Sequence, residues 1–313
     1  MELLIQILLL AAGFVLLVKG ADWFVEGAAS IADKFGIPQI VIGLTIVAMG
    51  TSAPEAAVSI SAALKGSAEI TIGNVVGSNI LNILIILGLT SVIRTIAVQR
   101  TTIHYELPMV IGITVLLAVL GLHDHVVSRL EGVLLMGCMV VYMLYLLRLA
   151  KRGVVENEEL EAYAEKAPMG KLIFLVIVGV VAIVWGSDIA VNAATAIARI
   201  FGLSERIIGL TIVALGTSLP ELVTSVTAAM KGNSDIAVGN IVGSNLFNIM
   251  FVVGITALIT PVVYSASFLV DSVVAVASAV LLLLCVLPQA RLGRKSGLLM
   301  LLCYGAYFVY LIK

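Results

Sequence analysis

The pattern Gly-Thr-Ser-x-Pro-Glu occurs twice, at Gly50, Thr51, Ser52, Pro54, Glu55 and at Gly216, Thr217, Ser218, Pro220, Glu221, each time inside an apolar run. If those runs cross a bilayer, each carboxylate costs about 2.5 to 3.5 kcal/mol on insertion scales, so an intramembrane glutamate marks an ion or proton pathway by default. Proline lacks a backbone donor and clashes with the preceding turn, so both helices are predicted to break before Pro54 and Pro220. A break frees backbone carbonyls, expected at Ala48, Met49, Ala214 and Leu215, and hydrocarbon tolerates these only where they line a polar cavity.

A second pattern follows each first one. Gly-Asn-x-x-Gly-Ser-Asn-x-x-Asn is spelled by Gly73, Asn74, Gly77, Ser78, Asn79, Asn82 and again by Gly239, Asn240, Gly243, Ser244, Asn245, Asn248. On a helix Ser78 and Asn82 are four apart and Asn79 and Asn82 three apart, so hydroxyl and carboxamides share a face. The glycines permit close helix approach. Every candidate ligand is a hard oxygen, with no His or Cys nearby, and such sets suit calcium rather than zinc, copper or iron. Glu55 and Glu221 together neutralise one divalent ion. The same oxygens could instead hold several sodium ions or accept two protons, and occupancy by one or the other in turn is what an exchanger requires.

The elements that must position these residues are membrane helices. Of 313 residues, 61% are hydrophobic and 12% charged, and the mean hydropathy is +1.17. Soluble domains run nearer 45 to 50% apolar and about 25% charged, which excludes a soluble enzyme. The formal charge of -1 offers no field for nucleic-acid phosphates. Cys138, Cys285 and Cys303 stand singly in apolar runs and read as packing residues.

Shifted by 166, Gly43 to Ile93 lies on Gly209 to Ile259 with 28 identities in 51 positions and no gap. The match continues upstream, where Gly20, Asp22, Val25 and Ala28 recur as Gly186, Asp188, Val191 and Ala194. The run Leu3 to Val18 resembles the core of a signal peptide, but its continuation belongs to the repeat, so it is expected to be retained. Each copy holds five apolar segments: 3–30, 38–64, 70–92, 104–121 and 130–150, then 171–200, 206–230, 236–260, 267–287 and 297–312. An odd number inverts the second copy. The expected fold is therefore an all-α integral membrane protein of ten transmembrane helices in two inverted five-helix repeats, residues 1–150 and 171–313, a design that places the binding site at the midplane between copies.

With the N-terminus outside, 13 Lys and Arg fall on inside ends and loops and 5 outside, so both termini are expected to be extracytoplasmic in a multi-pass plasma-membrane protein. Residues 151–170 carry Glu156, Glu158, Glu159, Glu161 and Glu165 and read as a solvated cytoplasmic linker.

Both repeats resemble the alpha repeats of the cation/calcium antiporter superfamily, and GTSAPE and GTSLPE with GSNILN and GSNLFN are similar to its sodium/calcium exchanger branch, of prokaryotic type. The resemblance covers essentially the whole chain. It implies calcium coordination by Glu55 and Glu221, with the central carboxamides at Asn82 and Asn248. Flanking sodium sites would use Thr51, Ser52, Ser78 and the Ala48 carbonyl, with Thr217, Ser218, Ser244 and the Ala214 carbonyl in the other copy. Some members, including the potassium-dependent branch, have Asp where this chain has Asn248, which argues against potassium co-transport. Proton/calcium exchangers usually carry a Gly-Asn-Ala-x-Glu type motif, absent here, so sodium is favoured over protons. Animal exchangers insert a large calcium-sensing region between the copies, and the short linker leaves no space for such a regulatory domain.

Other polar residues are expected to be structural. Asp22 and Asp188 sit near an interface in capping or vestibule positions. His123, Asp124 and His125 form a solvated outer loop, and His104 and Glu106 lie at headgroup level. The resemblance suggests that the first helix of each copy slides, eased by Gly13, Gly20, Gly27, Gly179 and Gly186. The resulting expectation is a calcium-for-sodium antiporter with calcium and sodium as transported ions and the lipid bilayer as its surroundings. The alternative is a proton/calcium exchanger using the same glutamates, which could carry protons because burial and mutual repulsion disfavour paired charges. An intramembrane enzyme lacks its Gly-x-Gly-Asp, Gly-x-Ser-Gly or paired-Asp motifs, so no enzymatic activity is expected. An ion channel would pass current without a counter-ion.

Overall fold

The computed structural model describes residues 2–68, 70–151, 167–202, 214–265 and 268–311. Helix α1 runs Glu2–Phe35, and α2, Gln39–Thr51, meets α3, Ala53–Leu64, at a bend of 48°. Three further helices follow: α4 Ile70–Ile93, α5 Thr102–Asp124 and α6 Arg129–Lys151. In the second copy α7 is Met169–Ile200, a single turn Ala214–Gly216 precedes α8, Leu219–Met230, and α9 is Ser234–Ile259. The last helices are α10 Phe268–Val286 and α11 Arg294–Leu311. Among the described residues seven helices are long and apolar enough to cross a membrane, and the bent pair α2–α3 makes an eighth. The acidic stretch at 152–166 and the start of the segment expected at 206–230 lie outside the described residues.

Glycines terminate the two longest helices as their chemistry requires. Gly36 and Gly202 take φ of 63° and 77°, a left-handed conformation that closes a helix and costs a residue without Cβ little. At about 1.5 Å per residue, α1 with its 34 residues outruns a hydrocarbon core of about 30 Å, so it tilts or protrudes.

Helices α1 and α7 form a layer of their own. A Cβ on Gly13 would stand 2.8 Å from the Ala190 nitrogen, one on Gly20 2.9 Å from the Gly179 oxygen, and one on Gly27 3.0 Å from the Leu172 oxygen. Ascending positions on α1 thus meet descending positions on α7, and the matched helices of the two copies run antiparallel with their backbones in contact. Leu17, Ala21, Phe24, Ile183 and Ala190 belong to a hydrophobic cluster that also takes in Ile42 and Val47 of α2, Ala228 and Ala229 of α8, and Ile236 and Ala237 of α9.

The interior of the bundle is α4 and α9. Within their most apolar windows 72% and 83% of residues are buried, against 17% for α1. Backbone contact is again made by glycine: a Cβ on Gly239 would lie 2.9 Å from Gly43 Cα, and one on Gly243 2.8 Å from Leu44 Cα. Two short antiparallel ladders tie the copies together outside the helices. Ile96–Ala97 (β1) pairs with Arg291–Leu292 (β4), and Val126–Val127 (β2) with Val262–Val263 (β3).

Glu106 is fully buried within the protein and accepts a hydrogen bond from the Tyr145 hydroxyl. It ends the π-helical turn Thr102–Glu106 with which α5 begins. His104, two residues earlier, is exposed. In the second copy Asp271 similarly accepts the Tyr307 hydroxyl at 2.8 Å.

Candidate functional site

Each helix breaks where the proline chemistry requires. Ser52, with φ -85° and ψ 7°, separates α2 from α3, and Pro54 takes the first turn of α3. Ser218 and Pro220 do the same for α8. The Ala48 carbonyl, however, is not released by the break: it accepts the Ser52 N–H at 3.0 Å and faces the Thr51 hydroxyl at 3.3 Å and the Ser244 hydroxyl at 3.4 Å. A proline has no N–H to give the carbonyl four residues back along the helix, which is that of Gly50 for Pro54 and of Gly216 for Pro220. In the second copy the Ser187 hydroxyl supplies the replacement, donating to the Gly216 carbonyl at 2.8 Å. Ala214 opens the matching turn.

The structure places most of the sequence-selected residues in the interior. Glu55, Glu221, Asn82, Asn248, Thr51, Ser52, Ser218, Ser78 and Ser244 are all buried, and Thr217 is half-buried. Glu55 and Glu221 lie within coulombic reach of each other. Ser52 Oγ donates to Glu221 Oε1 at 2.8 Å, with Thr51 also beside that carboxylate, while Thr217 and Ser218 lie beside Glu55. Each glutamate is thus faced by the Thr-Ser pair of the other copy.

Several buried oxygens here have no hydrogen-bond partner: both carboxylate oxygens of Glu55, Glu221 Oε2, Asn82 Oδ1, Asn248 Oδ1 and Ser218 Oγ. Unpartnered buried polar atoms are costly, at about 1–3 kcal/mol each, so oxygens left this way are available to a ligand. Among the described residues no three of His, Cys, Asp or Glu gather as a metal cluster. The donors are two carboxylates supplemented by amide and hydroxyl oxygens, a chemistry for hard cations.

Three pairs of positioning residues were not assigned roles from sequence. Asn74 Nδ2 donates to the Glu55 carbonyl at 3.1 Å and Ser59 Oγ at 2.9 Å, and Asn240 Nδ2 donates to the Glu221 carbonyl at 3.3 Å and Ser225 Oγ at 2.9 Å. These bonds fix the first turns of α3 and α8, on which the carboxylates ride. The third pair, Asn79 and Asn245, joins α4 to α9 directly. Their signal in sequence was the recurrence of the full Gly-Asn-x-x-Gly-Ser-Asn-x-x-Asn string. Asn82 and Asn248 also open the π-helical stretches Asn82–Leu87 and Asn248–Val253, a distortion that concentrates at functional positions.

Asp22 stands away from this cluster, paired with Lys231 Nζ at 2.7 Å, and Asp188 is exposed. His123, Asp124 and His125 form a helix end: His125 takes φ 61°, and the Asp124 carboxylate accepts the Val126 N–H.

With this geometry in place, the relatives are informative. A family profile described as sodium/calcium exchanger protein matches residues 5–148 and 171–313. The putative antiporter CaxA of Alkalimonas amylolytica is 39% identical across 97% of this chain and 98% of its own. The sodium/calcium exchanger MaX1 of Methanosarcina acetivorans is 32% identical across 98% of each. A solved structure of the sodium-calcium exchanger NCX_Mj, soaked with Na+ and Sr2+, superposes with a TM-score of 0.85 at 30% identity, covering 98% of this chain and 99% of that one. A family match over both copies, end-to-end relatives and a shared helical architecture show that the chain belongs to the sodium/calcium exchanger family of membrane antiporters.

Proposed function

We propose that this protein exchanges calcium for sodium by alternating access, with one central site built from Glu55, Glu221, Asn82 and Asn248. What supports the reading is that all four residues are buried and carry side-chain oxygens without a hydrogen-bond partner, and that the two glutamates, one from each copy, lie within coulombic reach of each other. Two carboxylates balance one calcium, and amide oxygens complete a shell without adding charge. Sodium ions would be held around the same carboxylates by Thr51, Ser52, Ser78 and the Ala48 carbonyl, and by Thr217, Ser218, Ser244 and the Ala214 carbonyl. Sharing the glutamates makes the two loads exclusive, and a cavity left with two uncompensated charges is penalised, which couples the fluxes.

The architecture proposed is ten transmembrane helices, residues 1–150 and 171–313, joined by a cytoplasmic linker at 151–170. The antiparallel run of α1 against α7 supports the inverted relation of the copies. The excess of Lys and Arg on one set of loops supports extracytoplasmic termini in the plasma membrane. With sodium high outside, exchange exports calcium.

The test is radioactive calcium uptake into proteoliposomes loaded with sodium or with choline at fixed pH, with an imposed pH gradient as a parallel arm. Uptake that requires internal sodium is expected. Uptake driven by the proton gradient alone would overturn sodium as the counter-ion while keeping the glutamates.

A further inference from the structure

Four asparagines from the two copies form a closed network in the middle of the bundle. Asn79 Nδ2 donates to the backbone carbonyl of Asn245 at 3.1 Å, and Asn245 Nδ2 donates to the backbone carbonyl of Asn79 at 3.3 Å. The side-chain oxygen of each is then taken by the other pair: Asn82 Nδ2 donates to Asn245 Oδ1 at 3.0 Å, and Asn248 Nδ2 to Asn79 Oδ1 at 3.2 Å. All four residues are buried, so water offers them no alternative partner.

A carboxamide has nearly the same shape after half a turn about its last bond, so packing alone does not decide whether Asn82 and Asn248 show oxygen or NH2 to the carboxylates. The chemistry of the network does decide. A backbone carbonyl only accepts, which forces the NH2 of Asn79 and Asn245 toward it and leaves their oxygens facing Asn82 and Asn248. Those oxygens accept only a donor, which forces the NH2 of Asn82 and Asn248 away from the cavity. What remains is Oδ1 of both, and each is buried without a hydrogen-bond partner, as are both carboxylate oxygens of Glu55 and Oε2 of Glu221.

We propose that Asn79 and Asn245 are positioning residues that set the polarity of the transport site, holding the Asn82 and Asn248 amides so that only oxygen faces the cation. The inference rests on the transport-site reading above and assigns to the clamp no direct contact with the ion. It also gives the two copies a crossed dependence: Asn245 of the second copy orients the ligand of the first, and Asn79 of the first orients that of the second.

A double-mutant cycle separates orientation from general support, because residues acting through one another are non-additive. Equilibrium binding of radioactive calcium to purified protein in sodium-free detergent would be measured up to millimolar concentration for wild type, Asn245→Ala, Asn82→Ala and the double variant. Asn245→Ala is expected to weaken binding about tenfold, the order of a lost hydrogen bond to a charged group. The double variant is expected to bind as Asn82→Ala does, within about twofold, because a clamp has nothing to orient once the amide is gone. Additive losses, or wild-type binding by Asn245→Ala, would overturn the proposal. The matched set Asn79→Ala, Asn248→Ala and their combination supplies the same cycle from the other copy if Asn245→Ala is too unstable to purify. Wild-type protein that binds no calcium would sink the site itself, a result distinct from additivity in a wild type that binds.

Discussion

Ser52 Oγ donates to Glu221 Oε1 at 2.8 Å across the interface between copies, while Thr217 and Ser218 of the second copy lie beside Glu55 of the first. Neither copy therefore contains a finished site. The break in each helix turns its Thr-Ser pair toward the opposite carboxylate, and the glutamate follows three residues after the serine on the new helix. An ion held between these carboxylates would contact both copies at once, so its presence would bear directly on how they pack.

Glu55→Gln and Glu221→Gln test the charge while keeping the shape. Removing one charge from a buried, charge-balanced site costs about 3 kcal/mol or more, at least a hundredfold in affinity. Calcium uptake in proteoliposomes is expected to fall by about that factor in either variant. Elution from a sizing column and the melting temperature without calcium are expected to match or exceed wild type, because each substitution relieves repulsion between the carboxylates. Near-normal uptake by either variant would refute the assignment.

The backbone contact of α1 with α7 makes a second expectation. A Cβ on Gly186 would stand 2.7 Å from the Leu17 nitrogen and 2.8 Å from the Gly13 oxygen. Backbone atoms cannot rotate aside as a side chain can, so Gly186→Ala forces the helices apart, at a cost of about 1–3 kcal/mol for an overpacked contact. The melting temperature is expected to fall. Gly170, where a Cβ meets nothing within 4 Å, is the control: Gly170→Ala on the same helix is expected to leave it unchanged.

Tyr145 supports the buried carboxylate of Glu106. Tyr145 donates to Glu106 Oε1, and Glu106 Oε2 already lacks a partner. Tyr145→Phe removes this hydrogen bond and leaves the carboxylate to Thr102 and the backbone beside it, and the expected loss of stability is about 1–2 kcal/mol, read as a lower melting temperature with calcium affinity unchanged. A variant as stable as wild type would show that Glu106 finds another donor.

Much of this was legible in the sequence because the duplication presents each motif twice. Two prolines beside two intramembrane glutamates mark where helices break, and the bend at Ser52 lies where Pro54 requires it. The residues that escaped are those whose role depends on a partner in the other copy. Asn79 and Asn245 are an unremarkable pair until α4 and α9 lie side by side, and the burial of Glu106 against Tyr145 depends on α6, which apolar periodicity along α5 does not record. The Ala48 carbonyl was misjudged for a local reason: the donor that a proline removes belongs to the carbonyl four residues earlier, Gly50, and not to its neighbours.

Asn248 distinguishes affinity from turnover. Its Oδ1 has no hydrogen-bond partner, and its Nδ2 donates to Asn79 Oδ1 at 3.2 Å. Asn248→Ala deletes a neutral ligand, so the KM for calcium is expected to rise about tenfold with kcat less affected. Asn248→Asp instead adds a third carboxylate and sets one of its oxygens against Asn79 Oδ1, which has no proton to give. The added charge attracts calcium more strongly in a desolvated site, so release slows and KM and kcat are expected to fall together. The initial rates of sodium-driven calcium uptake across a calcium series check both variants. A rise in KM for Asn248→Asp would mean that the lost hydrogen bond to Asn79 outweighs the added charge, and that orientation of this residue matters more to calcium than its formal charge.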